Sequence, residues 1–278
     1  MNWRDFQQLQ RVVELHEHFL SYVDHGNGKP VVLVHGIPTW GYLWHGVSPV
    51  LAETHRVLIP DMLGFGYSDK RDSFDRSISR QAEVIDAWMG KLGIETAAIV
   101  GHDIGGGVAL RLATLFPNRV DRLCVLNTVC YDSWPIELML QFGHPDANRK
   151  LSASAALSLL RAALKQGFAR SPQEDVLDGL LAPYRTEVGK LSLIRNAAAL
   201  NTNLTTEISD QLLLLDLPTL VLWGEDDTFQ AVKYGQRLAR DIPRSQFVRI
   251  NDARHFVMFD QPDQVVAQLV SFLGSDLP

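Results

Sequence analysis

The sequence has little cysteine and no run of basic residues. Its two cysteines, Cys124 and Cys130, fall on or just after one predicted strand and do not make a disulfide framework. We therefore expect a reducing, cytoplasmic setting. The net charge is −6, with both signs mixed along the chain. Without a basic tract, we expect no binding to nucleic acid.

Long apolar runs are also absent. The most apolar stretch, residues 212–223, is interrupted by Asp216 and Pro218 and is too short to span a bilayer. Residues 1–8 lack the apolar core of a signal peptide. The sequence thus predicts no membrane segment. It has no internal repeats, and its 278 residues are enough for one large core, or for one core with an inserted subdomain.

What the sequence does contain is an alternation of short apolar strands and amphipathic helices. Residues 11–24 predict two antiparallel strands, and later apolar runs predict buried parallel strands at 30–34, 56–59, 97–100, 122–126, 218–224 and 246–250. Helical spacing covers residues 79–92, 108–116 and 230–241, and a final helix starts at 262. Such alternation favours a mostly parallel sheet flanked by helices.

One segment does not follow this alternation. From about residue 131 to 210 the pattern is helical, is punctuated by prolines and contains no clear strand. We interpret it as a helical insertion that divides a core made of residues 1–130 and 211–278. An insertion at this edge would cover the carboxyl ends of the strands, where open α/β sheets bind ligands.

Asp103 stands at a sharp corner between a strand and a helix. The apolar strand stops at Val100, and Gly101 and Gly105 flank the acidic side chain. Glycines permit a strained turn and a close approach of strand and helix. The carboxylate would then lie above the sheet, near a helix N-terminus that favours negative charge. Asp103 is either a helix N-cap or a functional carboxylate.

Two more polar residues follow strands of the predicted sheet. Asp227 comes just after the strand ending near Gly224, and His255 comes just after the last strand. Taken singly, each is equally well an ordinary turn or loop residue. Together with Asp103 they give the order acid, acid, histidine at one sheet edge. This is the chain order of the α/β-hydrolase triad, with aspartate in the position of the usual serine.

With these residues in place, the chain resembles the aspartate-nucleophile branch of the α/β-hydrolase fold, which includes haloalkane dehalogenases, haloacetate dehalogenases and epoxide hydrolases. The resemblance covers nearly the whole chain. It implies an eight-stranded, mostly parallel sheet with an inserted helical cap. It is carried by residues 35–40 (His-Gly-Ile-Pro-Thr-Trp), 61–70 (Asp-Met-Leu-Gly-Phe-Gly-Tyr-Ser-Asp-Lys), 101–106 (Gly-His-Asp-Ile-Gly-Gly), 224–227 (Gly-Glu-Asp-Asp) and 255–256 (His-Phe).

The resemblance implies a role for each of these site residues. Asp103 would attack a saturated carbon and form an alkyl ester, and His255 would activate the water that hydrolyses it. Asp227 would orient His255, with its neighbour Asp226 as the second choice. The backbone N–H groups of Ile37 and Ile104 would form the oxyanion hole.

The resemblance implies no metal and no organic cofactor. The glycines of residues 101–107 do not have the spacing of a dinucleotide loop. The expected partners are a small apolar organic substrate and water, and the chain is expected to be a monomer or a homodimer.

The chain also departs from the family pattern. Haloalkane dehalogenases place halide-binding side chains at the positions of Ile37 and Ile104, and haloacetate dehalogenases place an arginine at the latter. Isoleucine supplies neither. Epoxide hydrolases need tyrosine hydroxyls from the cap, for which the insertion offers Tyr131 and Tyr184. Epoxide opening, hydrolysis of an unusual ester or lactone, and ligand binding without catalysis therefore remain alternatives to dehalogenation.

We predict substrate contacts from three aromatic residues, Trp40, Trp134 and Tyr184. The remaining cap lining is predicted to come from Leu138, Phe142, Phe168 and Leu180.

Overall fold

The computed structural model describes residues 1–274 and is organised around one eight-stranded sheet. The strands are β1 (Arg11–Leu15), β2 (His18–His25), β3 (Lys29–Val34), β4 (His55–Pro60), β5 (Ala97–His102), β6 (Val120–Leu126), β7 (Thr219–Gly224) and β8 (Ser245–Ile250). Their spatial order is β1-β2-β4-β3-β5-β6-β7-β8. β2 runs antiparallel to β1 and β4, and the other pairs are parallel.

Helices flank the sheet and fill the interval between β6 and β7. They are α1 (Trp3–Gln8), α2 (Ser48–Leu51), α3 (Ile78–Lys91), α4 (Ile104–Leu115), α5 (Glu137–Gly143), α6 (Pro145–Lys150), α7 (Ala153–Gln166), α8 (Glu174–Leu181), α9 (Glu187–Ala198), α10 (Asn203–Thr206), α11 (Ser209–Leu212), α12 (Val232–Asp241), α13 (Val257–Asp260) and α14 (Pro262–Gly274). Short 3-10 turns cover Gly41–Trp44, Pro117–Arg119 and Ala182–Tyr184.

The sequence explains where these elements begin and why the centre of the sheet is buried. Ser77, Ser152 and Thr186 accept hydrogen bonds from backbone N–H groups in the first turns of α3, α7 and α9, as N-caps do. Every residue of β5 and β7 is buried. Strands covered on both faces by helices read as continuous apolar runs, which is the pattern of these two segments. The predicted fold class is therefore confirmed.

The segment between β6 and β7 contains helices α5 to α11 and no strand among its described residues. This agrees with the helical pattern of residues 131–210. We call these residues the cap below; that they form a separate domain remains a prediction. The segment is fastened to the loops that follow β3 and β4. Arg76, just before α3, donates to the Ser192 hydroxyl and the Asn196 amide oxygen on α9, at 2.8 and 2.6 Å. These hydrogen bonds join α9 to the loop that follows β4.

Among residues 1–274, none of the helices combines the length and the apolar character that crossing a membrane requires.

Candidate active site

The corner between β5 and α4 places Asp103 in a strained backbone conformation. Its φ is +54° and its ψ is −124°, values that non-glycine residues adopt rarely and that recur at functional sites. A Cβ on Gly105 would lie 2.3 Å from the carbonyl oxygen of His35, so only glycine lets α4 start this close to β3. The Asp103 side chain makes no capping hydrogen bond to α4. Asp103 therefore occupies the N-cap position of α4, but its side chain does not cap the helix in the usual way.

His255 and Asp227 lie beside Asp103 and form a chain of contacts with it. His255 Nε2 is 3.7 Å from Asp103 Oδ2, and its Nδ1 is 3.0 Å from Asp227 Oδ2. All three residues are buried. The short contact fits an Nδ1–H that donates to Asp227, which leaves the Nε2 lone pair facing Asp103. A separation of 3.7 Å is too long for a direct hydrogen bond, so Nε2 is available to another partner such as water.

Asp227 is fixed from several sides. Its Oδ1 accepts hydrogen bonds from the backbone N–H groups of Phe229 and Gln230, at 2.7 and 3.0 Å. The neighbouring Asp226 is exposed, and its N–H donates to the carbonyl of Ala253. Of the two candidate acids, the structure therefore brings Asp227, and not Asp226, to the histidine.

Asn127 is a polar member of this cluster to which the sequence analysis gave no role. It follows β6, with a φ of +42°. Its Nδ2 donates to Asp227 Oδ2 at 2.7 Å, and its Oδ1 accepts from the Gly224 N–H at 3.1 Å. Asn127 thus supports the carboxylate oxygen that also contacts His255. The signal was available, because Asn127 follows a predicted parallel strand as Asp103, Asp227 and His255 do.

His102, the residue before Asp103, is the second residue that sequence reasoning missed. Its Nε2 lies 2.9 Å from the carbonyl oxygen of His255, and the two imidazole rings are 4.6 Å apart. Burial, together with the charge of a protonated His255, holds the pKa of His102 well below its ordinary value. His102 is therefore neutral, and it donates to the backbone of the residue that faces Asp103.

The backbone amides predicted as an oxyanion hole lie against the Asp103 carboxylate. The Ile37 N–H donates to Asp103 Oδ1 at 2.8 Å, and Ile104 is the first residue of α4. Gly36 is required here, because a Cβ on it would lie 2.4 Å from the Asp103 Cβ. The loop after β3 can approach Asp103 this closely only without a side chain at position 36.

The pKa values of Asp103 and His255 are both raised above their ordinary values. Burial raises the pKa of Asp103, although His255 and the amides of Ile104 and Ile37 oppose this shift. Burial alone would lower the pKa of His255. The carboxylates of Asp227 and Asp103 outweigh that effect and raise it. The site therefore holds a basic imidazole between two carboxylates, away from solvent.

A cavity of about 540 Å³, including its mouth, opens above Asp103 and His255. Its core side is formed by those two residues with Ile37, Ile104 and Phe256, and its cap side by Trp134, Leu138, Met139, Leu160 and Leu164. The indole N–H of Trp134 donates to the Thr205 hydroxyl at 2.7 Å and does not point into the cavity. Within residues 1–274, the lining includes no lysine, arginine or tyrosine.

The structure places two of the three aromatic residues predicted to contact substrate away from this cavity. Trp40 is fully buried and donates its indole N–H to the Gly179 carbonyl at 2.8 Å. Tyr184 is also buried, and its hydroxyl donates to the Thr39 carbonyl at 2.9 Å. Neither lines the cavity, because both are used to join the loop after β3 to the cap. Trp134 does line it, through its ring.

The prediction of the remaining cap lining is correct only in part. Leu138 lines the cavity, whereas Phe142, Phe168 and Leu180 do not. Phe168 packs against Phe256 with ring centroids 4.6 Å apart. Leu180 is fully buried. The part of the chain that the structure describes has no cluster of three or more His, Cys, Asp or Glu side chains able to hold a metal ion.

The class of protein to which this chain belongs follows from its fold and from its sequence. The model of the α/β-hydrolase fold family matches residues 29–262, and the chain belongs to that family. Among its relatives is a cis-3-alkyl-4-alkyloxetan-2-one decarboxylase of Shewanella oneidensis, 26% identical over 287 residues, which cover 95% of this chain and 90% of the relative. Haloalkane dehalogenase 2 of Mycobacterium tuberculosis is 26% identical over 267 residues, or 92% and 91% of the two chains.

Solved structures of other proteins have the same fold. An α/β-hydrolase fold protein from Burkholderia ambifaria superposes with a TM-score of 0.87 at 29% identity, over 94% of this chain and 99% of that one. A haloalkane dehalogenase from Bradyrhizobium elkani superposes with a TM-score of 0.83 over 95% and 97% of the chains. At 20% identity, this second likeness is one of fold alone.

Proposed function

We propose that this protein is a hydrolase in which Asp103 attacks a saturated carbon of a small apolar substrate and forms an alkyl-enzyme ester. The observation that carries the proposal is the contact series Asp227–His255–Asp103 at the floor of an apolar cavity. A carboxylate is a poor nucleophile toward an ester carbonyl, where it would give an anhydride, but a suitable one for displacement at saturated carbon.

In the first step, an Asp103 oxygen forms a bond to the substrate carbon, and the leaving group departs with the electron pair of the bond that breaks. The apolar cavity favours this step because it removes water from the attacking carboxylate. The Ile37 N–H, 2.8 Å from Oδ1, keeps the carboxylate in place.

In the second step, His255 Nε2 takes a proton from a water molecule, whose oxygen attacks the carbonyl carbon of the Asp103 ester. The oxyanion that forms accepts hydrogen bonds from the amides of Ile37 and Ile104. Collapse of this intermediate releases the alcohol oxygen, which takes the proton from the imidazolium. The Asp103 carboxylic acid then loses the second water proton to solvent, which restores the carboxylate. Asp227 stabilises His255 while it carries that proton.

The lining favours some leaving groups over others. A halide ion would find no side-chain donor, since Ile37 and Ile104 have none and the Trp134 N–H is bonded to Thr205. Opening an epoxide needs a proton donor, and the hydroxyls of Tyr131 and Tyr184 are bonded to Asp241 and to the Thr39 carbonyl instead. A haloacetate would need a cation, and Arg111 is bonded to Glu207 on the far side of α4.

A strained lactone is therefore the second candidate substrate. Attack of Asp103 on the saturated ring carbon of an oxetan-2-one breaks the ring C–O bond, and the leaving group is a carboxylate that stays attached to the substrate. This leaving group needs no halide site. The relative from Shewanella oneidensis is named for such a ring, which supports the candidate. Hydrolysis of the ester would give a hydroxy acid, whereas loss of carbon dioxide with release of Asp103 would give an alkene.

The test is to trap the ester. A His255→Gln variant should form the ester but not hydrolyse it. It is incubated in turn with 1-bromobutane, chloroacetate, 1,2-epoxyhexane and a cis-3,4-dialkyl oxetan-2-one, and the intact mass is measured. We expect an adduct that peptide mapping assigns to Asp103 and that the double variant Asp103→Asn/His255→Gln does not form.

The mass of the adduct identifies the reaction class. If none of the four compounds gives an adduct, and wild-type protein turns none of them over, the covalent mechanism is rejected. Ester hydrolysis without an alkyl-enzyme and ligand binding without catalysis would then be the remaining explanations.

A further inference from the structure

A second cavity opens on the cap, next to the catalytic one. It lies between α5, α6 and α7, and half of its lining residues are leucine or phenylalanine. Two residues, Leu138 and Leu160, line both this groove and the catalytic cavity. The two spaces are therefore neighbours that share these two side chains.

The open side of the groove carries both apolar and polar side chains. Leu140 and Leu159 on its rim are 51% and 50% exposed, on a protein whose other large side chains are mostly covered. Exposed leucines that converge on one groove mark a place where an apolar partner is bound. Its charged lining residues are Glu137 on α5 and the pair of Asp146 and Lys150 on α6, whose charged atoms are 3.1 Å apart. Because this pair is neutral as a whole, Glu137 leaves the lining with one net negative charge, which gives no attraction for an anionic ligand.

We propose that this groove binds the apolar chain of the substrate, so that the protein acts on electrophiles carried by a long alkyl chain. The reactive carbon would lie against Asp103 in the first cavity, and the chain would pass between Leu138 and Leu160 into the groove. The two leucines that line both spaces support this occupant over a separate ligand. The inference rests on the proposed function for the reactive end, but chain binding itself requires no covalent step.

The test is the affinity of unreactive alcohols, measured by calorimetry on the full-length protein. Decan-1-ol should bind wild type at least roughly 100-fold more tightly than butan-1-ol, because each buried methylene contributes about 0.8 kcal/mol. The test variant is Leu159→Lys, which puts a charge at the groove and lies outside the catalytic cavity. We expect it to weaken decan-1-ol binding tenfold or more and to lower the decanol-to-butanol affinity ratio.

The matched control is Leu213→Lys. Leu213 is 51% exposed, like Leu159, but lies beyond α11 and away from the groove. Its replacement should leave the affinity ratio as in wild type. An unchanged decan-1-ol affinity in Leu159→Lys would overturn the inference. So would a change in oligomeric state on gel filtration without a change in affinity, since the groove would then be a protein interface.

The two proposals fail in different ways. If the alcohols bind as expected while His255→Gln forms no adduct, the groove is an alkyl-chain site and the Asp103 chemistry is rejected. If adducts form while Leu159→Lys leaves decan-1-ol binding unchanged, the chemistry stands and the groove assignment is wrong.

Discussion

The two walls of the catalytic cavity differ in what their side chains offer. The core wall presents two polar side chains, Asp103 and His255, and His255 is in turn contacted at 3.0 Å by Asp227, which does not line the cavity. On the cap wall the surface is apolar, and the one polar group, the Trp134 indole N–H, is turned toward Thr205. Under the proposed function, we expect the core wall to supply the reacting groups and the cap wall to select substrates by shape.

The walls also differ in how the chain builds them. The core residues stand at the ends of adjacent parallel strands β5, β6 and β7 and after β8, so the sheet register fixes their relative positions. The cap residues come from helices α5 and α7 and from the segment before α5, whose packing on one another sets the cavity shape. Substitutions on the core wall should therefore change rate by large factors, and those on the cap wall should change preference by small ones.

The largest effect should come from Asp227→Asn. This change removes the charge that stabilises the imidazolium of His255, and we expect the overall rate to fall by about 10³-fold or more. The rate is to be measured with whichever electrophile forms the Asp103 adduct. Asp226→Asn is the matched control, since the exposed neighbour should keep its rate within about twofold. Equal losses in both variants would contradict the assignment of Asp227.

A smaller loss is expected for Asn127→Ala. This variant removes the 2.7 Å hydrogen bond to Asp227 Oδ2 while leaving every charge in place. A hydrogen bond to a charged group contributes about 1.5–3 kcal/mol, so a rate loss of roughly 10- to 100-fold follows. Single-turnover hydrolysis of the trapped ester measures it. A wild-type rate would show that Asp227 is held well enough by the amides of Phe229 and Gln230.

The pH dependence of the second step should follow His255. Its pKa is raised, so the residue is protonated and inactive as a base below that pKa and neutral and active above it. Ester hydrolysis should therefore rise with pH, with a midpoint above 6.5, and fall about tenfold per unit below it. In Asp227→Asn the midpoint should move to lower pH, because the largest cause that raises the pKa is lost. If the midpoint did not move, His255 would not be the group whose titration controls ester hydrolysis.

The smallest effect on rate is expected from the cap wall. Leu164→Ala enlarges the cavity without touching the polar cluster. We expect a shift of a few-fold in the preference between short and branched electrophiles, since one or a few methylenes in an apolar pocket contribute about 1–3 kcal/mol. Competition between two electrophiles measures this preference.

The control for Leu164→Ala is Leu193→Ala, a change in a fully buried cap leucine that does not line the cavity. Both should lower the free energy of unfolding by about 2–5 kcal/mol. Only Leu164→Ala should alter preference. If Leu164→Ala lowered the rate as much as Asp227→Asn does, the proposed difference between the two walls would be wrong.

The residues of the core wall could be predicted well because their positions follow from short patterns in the sequence. An apolar run of parallel-strand type ends where the strand ends, and the next polar residue lies at the carboxyl edge of the sheet. That reasoning brought out Asp103, Asp227 and His255, and the resemblance pointed to the amides of Ile37 and Ile104. Asn127 follows the same rule. It was missed because its role depends on which carboxylate lies beside it across the sheet.

The residues of the cap wall were predicted poorly because their positions depend on contacts between distant segments of the chain. Whether an aromatic side chain faces a cavity or a neighbouring loop depends on how several helices pack together. Trp40 bonds a carbonyl 139 positions away, and Tyr184 one 145 positions away. Nothing in the spacing of residues 131–210 distinguishes Trp134, which lines the cavity, from Phe168, which packs under it.

The amino-acid sequence by itself therefore determined the class of fold, the strand-to-helix corner at Asp103 and the strand ends from which the polar cluster is built. These features follow from hydrophobic periodicity and from the short range of backbone hydrogen bonding. Only the tertiary structure decided which acid contacts His255 and which aromatic side chains do not line the catalytic cavity. It also decided that Leu138 and Leu160 line both that cavity and the groove beside it. Those outcomes depend on side-chain packing between segments far apart in the chain, which periodicity does not encode.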